Sequence, residues 1–118
     1  MQESTKITQR AAKTASGDAV SILAFSGDIS STSKDAMLAA YHGLGLTAAS
    51  LLLLDFTGVE YINSSGIAII IQMLIEAHKV GSRALGIFGL SPHFRKVVAM
   101  VGINKYANLY DEEKAALA

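Results

Sequence analysis

Four consecutive leucines at positions 51–54 restrict the fold of this chain more than any other feature of its sequence. The run is wholly apolar and is bounded by Ser50 and Asp55, and its length is typical of a strand rather than a helix. Strands that are apolar on both faces belong inside sheets that helices cover. We therefore expect residues 51–54 to form a buried strand of such a sheet.

Patterns typical of strands and helices alternate along the rest of the chain. Gly81 and Gly102 are suited to end two helices, and Ser91-Pro92 starts one, because serine caps a helix and proline fits its first position. The predicted strands are residues 7–14 (an edge strand with the weakest pattern), 19–26, 51–54, 84–90 and 106–110. The predicted helices are residues 35–46, 64–80 and 92–101, and one that begins at 111–113. This order, β-β-α-β-α-β-α-β-α, predicts the α/β class, with a mostly parallel, mixed sheet and helices packed against it.

Length and composition indicate one small domain. The chain has 118 residues, 51% of them hydrophobic, so residues 1–118 are expected to form a single domain with a core of its own. The absence of cysteine excludes disulfides, a cysteine zinc site and a thiol nucleophile. Ten basic residues balance ten acidic ones, which argues against direct binding to nucleic acid.

The sequence predicts neither a leader nor a membrane segment. Residues 1–18 are polar and lack the apolar stretch of a signal peptide. The longest aliphatic runs, residues 51–54 and 67–71, are far shorter than the roughly 18 residues that suggest a membrane span. We expect a cytoplasmic protein that does not insert into membranes.

The junction Asn63-Ser64-Ser65-Gly66, where a helix begins, is the candidate functional site. Asn63 stands where an N-cap belongs, and its side-chain oxygen can accept a hydrogen bond from an N–H of the first turn. Ser64 is then the first helical residue, at the positive end of the helix, where a phosphate is favoured. Gly66 leaves room for a close approach of backbone or ligand. Asparagine and serine are also ordinary capping residues, and the pattern by itself favours a purely structural cap.

The helix that begins at Ser64 has two apolar faces. At about 100° per residue, the residues opposite Ser64 should face the sheet: Gly66, Ile69, Ile70, Met73 and Ala77. A second set lies beneath Ser64: Ala68, Ile71 and Ile75, flanked by Gln72 and Lys79. Exposed isoleucines bring no stability to a monomer, so either another element or a partner protein covers this second face.

Four blocks of the sequence follow one another in a defined order. They are residues 27–29 (GDI), 55–67 (DFTGVEYINSSGI), 90–95 (LSPHFR) and 102–109 (GINKYANL). Together they resemble the STAS domain family, as found in bacterial anti-sigma-factor antagonists. The corresponding motifs of that family are a G-E-L-D turn and a strand D-x-S/T-x-V-x-x-I/M that leads into D-S-S/T-G-L at the start of a helix. Further along, a strand is followed by S-P at the start of the next helix, and the last motif is G-L-x-x-x-x-x-I/L. The resemblance covers residues 19–117.

This resemblance implies a protein–protein switch and not an enzyme. In the family, a serine kinase that is also an anti-sigma factor phosphorylates the first serine of D-S-S/T-G. The unphosphorylated form binds this kinase and frees the sigma factor, which regulates transcription, and a serine phosphatase resets the cycle. When this motif is matched to the present sequence, the resemblance implies that Ser64 is the phosphorylation site, with Ser65 as the second choice. ATP and metal belong to the kinase, so no cofactor, metal ligand or catalytic residue is expected in this chain.

The resemblance also implies a partner-binding surface around Ser64. Asn63 and Gly66 shape the switch loop, and the partner-binding residues are Asp28, Ser30, Ala68, Ile71, Gln72 and Ile75. A phosphate on Ser64 adds about −1.5 to −2 charge and would break docking on the apolar members of this set.

Two positions depart from the family's pattern. Asn63 stands where the family has aspartate, and Ser30 replaces the last residue of G-E-L-D, with Asp28 at the glutamate position. Asn63 still caps the helix and removes a negative charge beside the phosphate. The loss of both carboxylates also fits altered kinase recognition, or a chain that is not phosphorylated and serves as a STAS subunit of a stress-sensing or lipid-transport assembly.

The sequence gives little support to other activities. Ile62 stands where a G-x-S-x-G nucleophile elbow needs its first glycine, and the glycines of residues 43–45 and 86–89 make neither G-x-G-x-x-G nor a P-loop. A mildly basic zone is predicted to consist of solvated helix faces, with contact of Arg95 and Lys96 to a phosphorylated or acidic partner surface as the alternative. The residues of this zone are His78, Lys79, Arg83, His93, Arg95 and Lys96.

Overall fold

The computed structural model describes residues 5–43, 51–80 and 84–118, and it confirms the predicted order of elements. The strands are β1 (Lys6–Lys13), β2 (Ala19–Ile29), β3 (Leu51–Ile62), β4 (Ala84–Phe88) and β5 (Asn108–Tyr110). The α-helices are α1 (Lys34–His42), α2 (Ser64–Val80), α3 (Pro92–Met100) and α4 (Glu113–Leu117), and short 3-10 helices occupy Ser31–Ser33 and Ile103–Lys105. None of the described helices has the length and apolarity that a membrane crossing requires.

The strands form one sheet in the order β1-β2-β3-β4-β5. β1 pairs antiparallel with β2 at the edge of the sheet, and β2 to β5 are parallel to one another. A helix lies between the strands of each parallel pair along the chain, as the crossover between parallel strands requires. The predicted mostly parallel, mixed sheet is thus confirmed.

The leucine strand lies at the centre of the sheet and is buried on both faces. Leu52 and Leu54 point into the larger core, which α1, α2 and α3 cover, whereas Leu53 belongs to a smaller cluster with Ala116 of α4. The prediction of a buried strand is therefore confirmed. Its predicted end is wrong, because β3 continues to Ile62 and stays paired with β2 beyond two shifts of register.

Other predicted boundaries move by a few residues, and the local backbone conformation explains two of these shifts. β4 ends at Phe88 because Gly89, with a φ of +85°, turns the chain close to Thr57. β5 begins only at Asn108 because the second 3-10 helix extends to its C-cap Tyr106, whose backbone is still helical, with a φ of −106° and a ψ of −20°. Of the remaining predictions, the end of the first helix at residue 46 and the role of Gly81 lie outside the described residues.

Candidate functional site

Asn63 caps α2 as predicted. Its Oδ1 accepts a hydrogen bond from the Gly66 N–H at 2.8 Å, and its carbonyl oxygen accepts one from the Ile67 N–H at 3.0 Å. The helix begins at Ser64, and both Ser64 and Ser65 are exposed. Two serine hydroxyls are therefore open to a partner at the positive end of a helix.

Gly66 allows the end of β2 to touch the start of α2. A Cβ atom at this position would lie 2.6 Å from the carbonyl oxygen of Ile29 and 2.9 Å from the Cγ2 atoms of Ile29 and Ile62. The same Ile29 oxygen accepts a hydrogen bond from the Asn63 N–H at 3.1 Å. The close approach that glycine permits here is therefore to backbone, and it joins the 27–29 block to the 55–67 block.

The two predicted faces of α2 behave differently. The residues expected to face the sheet are all buried: Gly66, Ile69, Ile70, Met73 and Ala77. Beneath Ser64, Ala68 and Gln72 are exposed, and Ile71 and Ile75 are half-buried. Neighbouring elements thus cover only part of this second face, which we call the Ser64 face, defined by Ser64, Ala68, Ile71 and Ile75.

The remaining predicted partner-binding residues lie at the end of β2 and directly after it. Asp28 is half-buried, and its backbone carbonyl accepts a hydrogen bond from the Thr5 hydroxyl at 2.6 Å. Ser30 is only 7% exposed, its N–H donates to Ser33 Oγ at 3.0 Å, and its hydroxyl lies 2.9 Å from that of Thr32. Ser30 therefore has little surface for direct contact with a partner and serves as the N-cap of the Ser31–Ser33 helix.

Two grooves flank the Ser64 face. The α1–α2 groove, of about 220 Å³, is lined by Ser31, Lys34, Ser65, Ala68, Ile69 and Gln72. The α2–α3 groove, of about 460 Å³, is lined by Tyr61, Ile62, Asn63, Ser64, Ile67, Ala68, Ile71, His93, Phe94, Val97 and Val101. Ser64 thus opens onto the α3 side of the helix and Ser65 onto the α1 side.

The wall that α3 contributes to the larger groove was missed by the sequence analysis. The Phe94 ring contacts the edges of two aromatic neighbours, with ring centroids 6.2 Å from Tyr61 and 5.1 Å from His93. A signal for this wall existed, because Val97 and Val101 are four residues apart on a helix whose core positions are already Phe94 and Val98. The apolar arc of α3 is therefore wider than contact with the sheet requires.

The charged side chains around the grooves are partly neutralised. Arg95 forms an ion pair with Asp111, and His42 Nε2 lies 2.9 Å from Glu76 Oε2. Lys96 is exposed and takes part in none of the ion pairs between described residues. Of the predicted basic zone, the side chains of His78 and Lys79 and the whole of Arg83 lie outside the described residues. In the described ranges, no group of histidine and carboxylate side chains is placed to hold a metal ion.

The comparisons with known proteins agree with this fold. A family model described as "Mlab, STAS domain" matches residues 12–111, and the chain belongs to the STAS domain family. Its fold is similar to that of an anti-sigma factor antagonist from Mycobacterium paratuberculosis, with 24% identity, 95% of this chain and 92% of that chain covered, and a TM-score of 0.73. It is also similar to SpoIIAA, a Bacillus cell fate determinant, in its phosphorylated form, with 17% identity, 94% and 96% coverage, and a TM-score of 0.66.

A third similar structure is part of a much larger protein. The murine anion transporter Slc26a9 is matched with 14% identity and a TM-score of 0.72, over 98% of this chain and 22% of the transporter. No curated protein matches the chain in sequence.

Proposed function

We propose that this chain is an anti-sigma-factor antagonist that binds an anti-sigma serine kinase while Ser64 is unphosphorylated and releases it once Ser64 carries a phosphate. The observation that carries the proposal is the exposed Ser64 at the capped first turn of α2, with Ala68 and Ile71 beside it. Membership of the STAS family supports it, as does the fold shared with the antagonist from Mycobacterium paratuberculosis and with SpoIIAA, which is also an anti-sigma factor antagonist.

A phosphate on Ser64 suits the helix but opposes docking. The N–H groups and the dipole of the first turn stabilise negative charge there, so phosphorylation need not unfold α2. A partner that covers Ala68 and Ile71, however, must also remove water from a group that carries about −1.5 to −2 charge. Asn63 keeps the cap without placing a second negative charge beside the phosphate.

Ser64 is preferred over Ser65 as the switch because of the groove that it borders. Ser64 lies at the larger, mostly apolar groove, where a charge changes docking most. Ser65 lies at the smaller groove, beside Lys34 and Gln72, where a negative charge is better tolerated.

The proposed activity is binding alone. ATP and its metal ion belong to the kinase, a serine phosphatase resets the switch, and neither nucleic acid nor a membrane is contacted directly. The proposed location is the bacterial cytoplasm, where the chain regulates transcription by holding the kinase away from a sigma factor.

A second candidate function is that of a non-phosphorylated STAS subunit in a larger assembly, such as a stress-sensing or lipid-transport complex. The likeness of the chain to 22% of an anion transporter favours this candidate, since the fold there is one part of a larger protein. Asn63, in place of the family's aspartate, is compatible with it too.

Affinity capture from the native cytoplasm distinguishes the two candidates. Wild type, Ser64→Ala and Ser64→Glu are used as baits, with Ser65→Ala and Ser65→Glu as matched controls, and mass spectrometry identifies partners and phosphorylated residues. We expect Ser64→Ala and both Ser65 variants to retain an anti-sigma serine kinase and Ser64→Glu to lose it. Identical partners for all baits, with no phosphate on Ser64, would favour the assembly subunit.

A further inference from the structure

We propose that the α2–α3 groove receives an amphipathic helix of the partner protein, apolar towards α2 and acidic along the side that faces α3. That this helix belongs to the kinase rests on the proposed function, whereas the chemistry of the helix is inferred from the groove itself. The proposal assigns α3 a role in recognition beside that of the Ser64 face.

The groove has an apolar lining over most of its length. Ile67 and Ile71 form the α2 wall, Phe94 and Val97 form the α3 wall, and the volume between them is about 460 Å³. Ile71 and Val97 are only half-buried although each packs against the core, so both still present apolar surface to an occupant. Covering such surface is the main favourable term in protein association.

Exposed apolar side chains are concentrated at this groove. Among the described residues, the large hydrophobic side chains that are exposed are Tyr61 at 51%, Met100 at 84% and Val101 at 48%. Tyr61 and Val101 line the groove, and Met100 neighbours Val101 on α3. An exposed apolar patch with polar residues around it is typical of an interaction site.

Charge is distributed unequally between the two walls. Residues 64–75 of α2 contain no charged residue. On α3, successive residues are rotated by about 100° around the helix axis. The direction of the side chains therefore turns away from the core and towards solvent in the order Val97, His93, Met100 and Lys96. The charge of Arg95, on the opposite flank of α3, is already neutralised by Asp111. A complementary occupant is therefore uncharged towards α2 and acidic towards Lys96.

The shape of the groove favours a helix over a small ligand. Two neighbouring helices form its walls, as in other grooves that take an amphipathic helix. The contributing segment, from Phe94 in α3 to the C-cap Val101, spans about 10 Å at 1.5 Å per residue, which matches about two turns of a partner helix. Small-molecule sites have convergent polar groups buried within the pocket. Here the polar side chains of the lining are exposed or half-buried instead: Tyr61, Asn63, Ser64 and His93.

The position of Ser64 connects this groove to the switch. Ser64 borders the α2–α3 groove and Ser65 borders the other one. A negative charge on Ser64 would repel an acidic helix and would leave a charge to be desolvated beneath it. The same charge on Ser65 would lie on the far side of α2 and would affect the helix much less.

A synthetic peptide tests the chemistry of the occupant without the kinase. The probe is a fluorescein-labelled helical peptide of alanine, leucine and glutamate, with leucines at i, i+3, i+4 and i+7 and glutamates along one side of this stripe. In the comparison peptide, lysine replaces every glutamate. Fluorescence anisotropy measures affinity, and ¹⁵N-HSQC shifts locate the bound peptide on the full chain.

We expect the acidic peptide to bind about tenfold more tightly than the basic one, to shift Ile71, Val97 and Val101, and to lose affinity as salt rises. Val101→Asp, Lys96→Glu and Ser64→Glu should each lower its affinity severalfold to tenfold. Ala99→Asp, on the exposed opposite side of α3, and Ser65→Glu should leave affinity within about twofold. Lys96→Glu changes an exposed side chain, so it tests the proposal even if Val101→Asp disturbs folding, which circular dichroism detects.

Three outcomes would overturn the proposal. The acidic and basic peptides could bind equally tightly, or Lys96→Glu and Val101→Asp could leave the affinity for the acidic peptide unchanged. The third outcome is that self-association or a small apolar probe, and not the peptide, shifts the HSQC signals of the groove residues. The proposed function can fail separately. If the acidic peptide binds but no kinase is captured, only the kinase switch is contradicted. If a kinase is captured and Lys96→Glu and Val101→Asp do not change its capture, only the groove proposal is contradicted.

Discussion

Asn63 separates two properties that an aspartate would combine, helix capping and negative charge. Its Oδ1 accepts the hydrogen bond of the Gly66 N–H at 2.8 Å, which an aspartate carboxylate would do equally well. The amide, however, contributes no negative charge beside Ser64. At this position the chain therefore keeps the helix cap without the charge of a carboxylate.

Substitutions at Asn63 measure the two properties separately. We expect Asn63→Ala to lower the free energy of unfolding by about 1 kcal/mol, because the Gly66 N–H loses its cap. Asn63→Asp keeps the cap and adds a negative charge at the positive end of α2, so it should raise the free energy of unfolding by about 0.3–1 kcal/mol at low salt. Urea denaturation measures both. An Asn63→Ala variant as stable as wild type would show that the side-chain cap contributes nothing.

At the scale of elements, Arg10 connects β1, β3 and α4. Its Nη1 donates to Glu113 Oε2 at 2.9 Å, its Nη2 also bonds the Glu113 carboxylate, and the same Nη2 lies 3.4 Å from Asp55 Oδ2. Because α4 has only five residues, it is not stable by itself and depends on such contacts. Arg10 thus helps to hold α4 against the smaller core.

The hydrogen bond from Arg10 to Glu113 raises the pKa of the Arg10 guanidinium above its ordinary value. A group whose pKa is raised by folding contributes its full stabilisation at every pH below its pKa in the unfolded chain. This contribution is lost only as the pH rises through its pKa in the folded protein. The charge of Arg10 therefore contributes equally throughout the neutral range.

Removing this charge should loosen α4. We expect Arg10→Gln to lower the free energy of unfolding by about 0.2–1 kcal/mol at low salt, the range of exposed ion pairs, and by less in 1 M salt. Lys13→Gln on the same strand is the matched control, since Lys13 is exposed and belongs to none of the described ion pairs. Urea denaturation at two salt concentrations compares them. Equal losses for the two variants would contradict a specific role for Arg10.

At the scale of the whole molecule, the two faces of the sheet are covered unequally. α1, α2 and α3 cover the larger core, with Met37, Ile70 and Val98 among its buried residues. The opposite face has the smaller cluster around Ile22 and Leu53, with α4 against it. Stability should therefore be greatest in β2, β3 and β4, which have a neighbouring strand on either side and a core on either face.

Native-state hydrogen exchange measures this distribution. We expect the amides of β3 that pair with β2 and β4, such as those of Leu52 and Leu54, to exchange only on global unfolding. Amides of α4 and those on the outer edge of β1 should exchange through local opening, orders of magnitude faster. Uniform protection across β1, β3 and α4 would contradict this and would indicate that the molecule opens as one unit.

Local sequence patterns were sufficient to predict the order of the elements, the N-cap of α2 and the buried face of α2. Asn63, Ser91 and Gly102 act within a few residues of themselves, so their roles could be predicted from neighbours in the sequence. The period of α2 likewise separates Ile70, which is buried, from Ala68, which is exposed. The length of β3 could not be predicted in this way, because residues 55–62 are held as a strand by pairing with β2.

The amino-acid sequence by itself determined where Ser64 stands: first in a capped helix, with apolar residues on two faces, because capping and helical period depend on near neighbours. Only the tertiary structure decided what surrounds it. The parallel pairing of β2 with β3 brings Ile29 against Gly66, and the packing of α3 beside α2 places Phe94 and Val97 across from Ile67. These contacts join residues about 30 or more positions apart, and only the folded sheet brings such distant segments together.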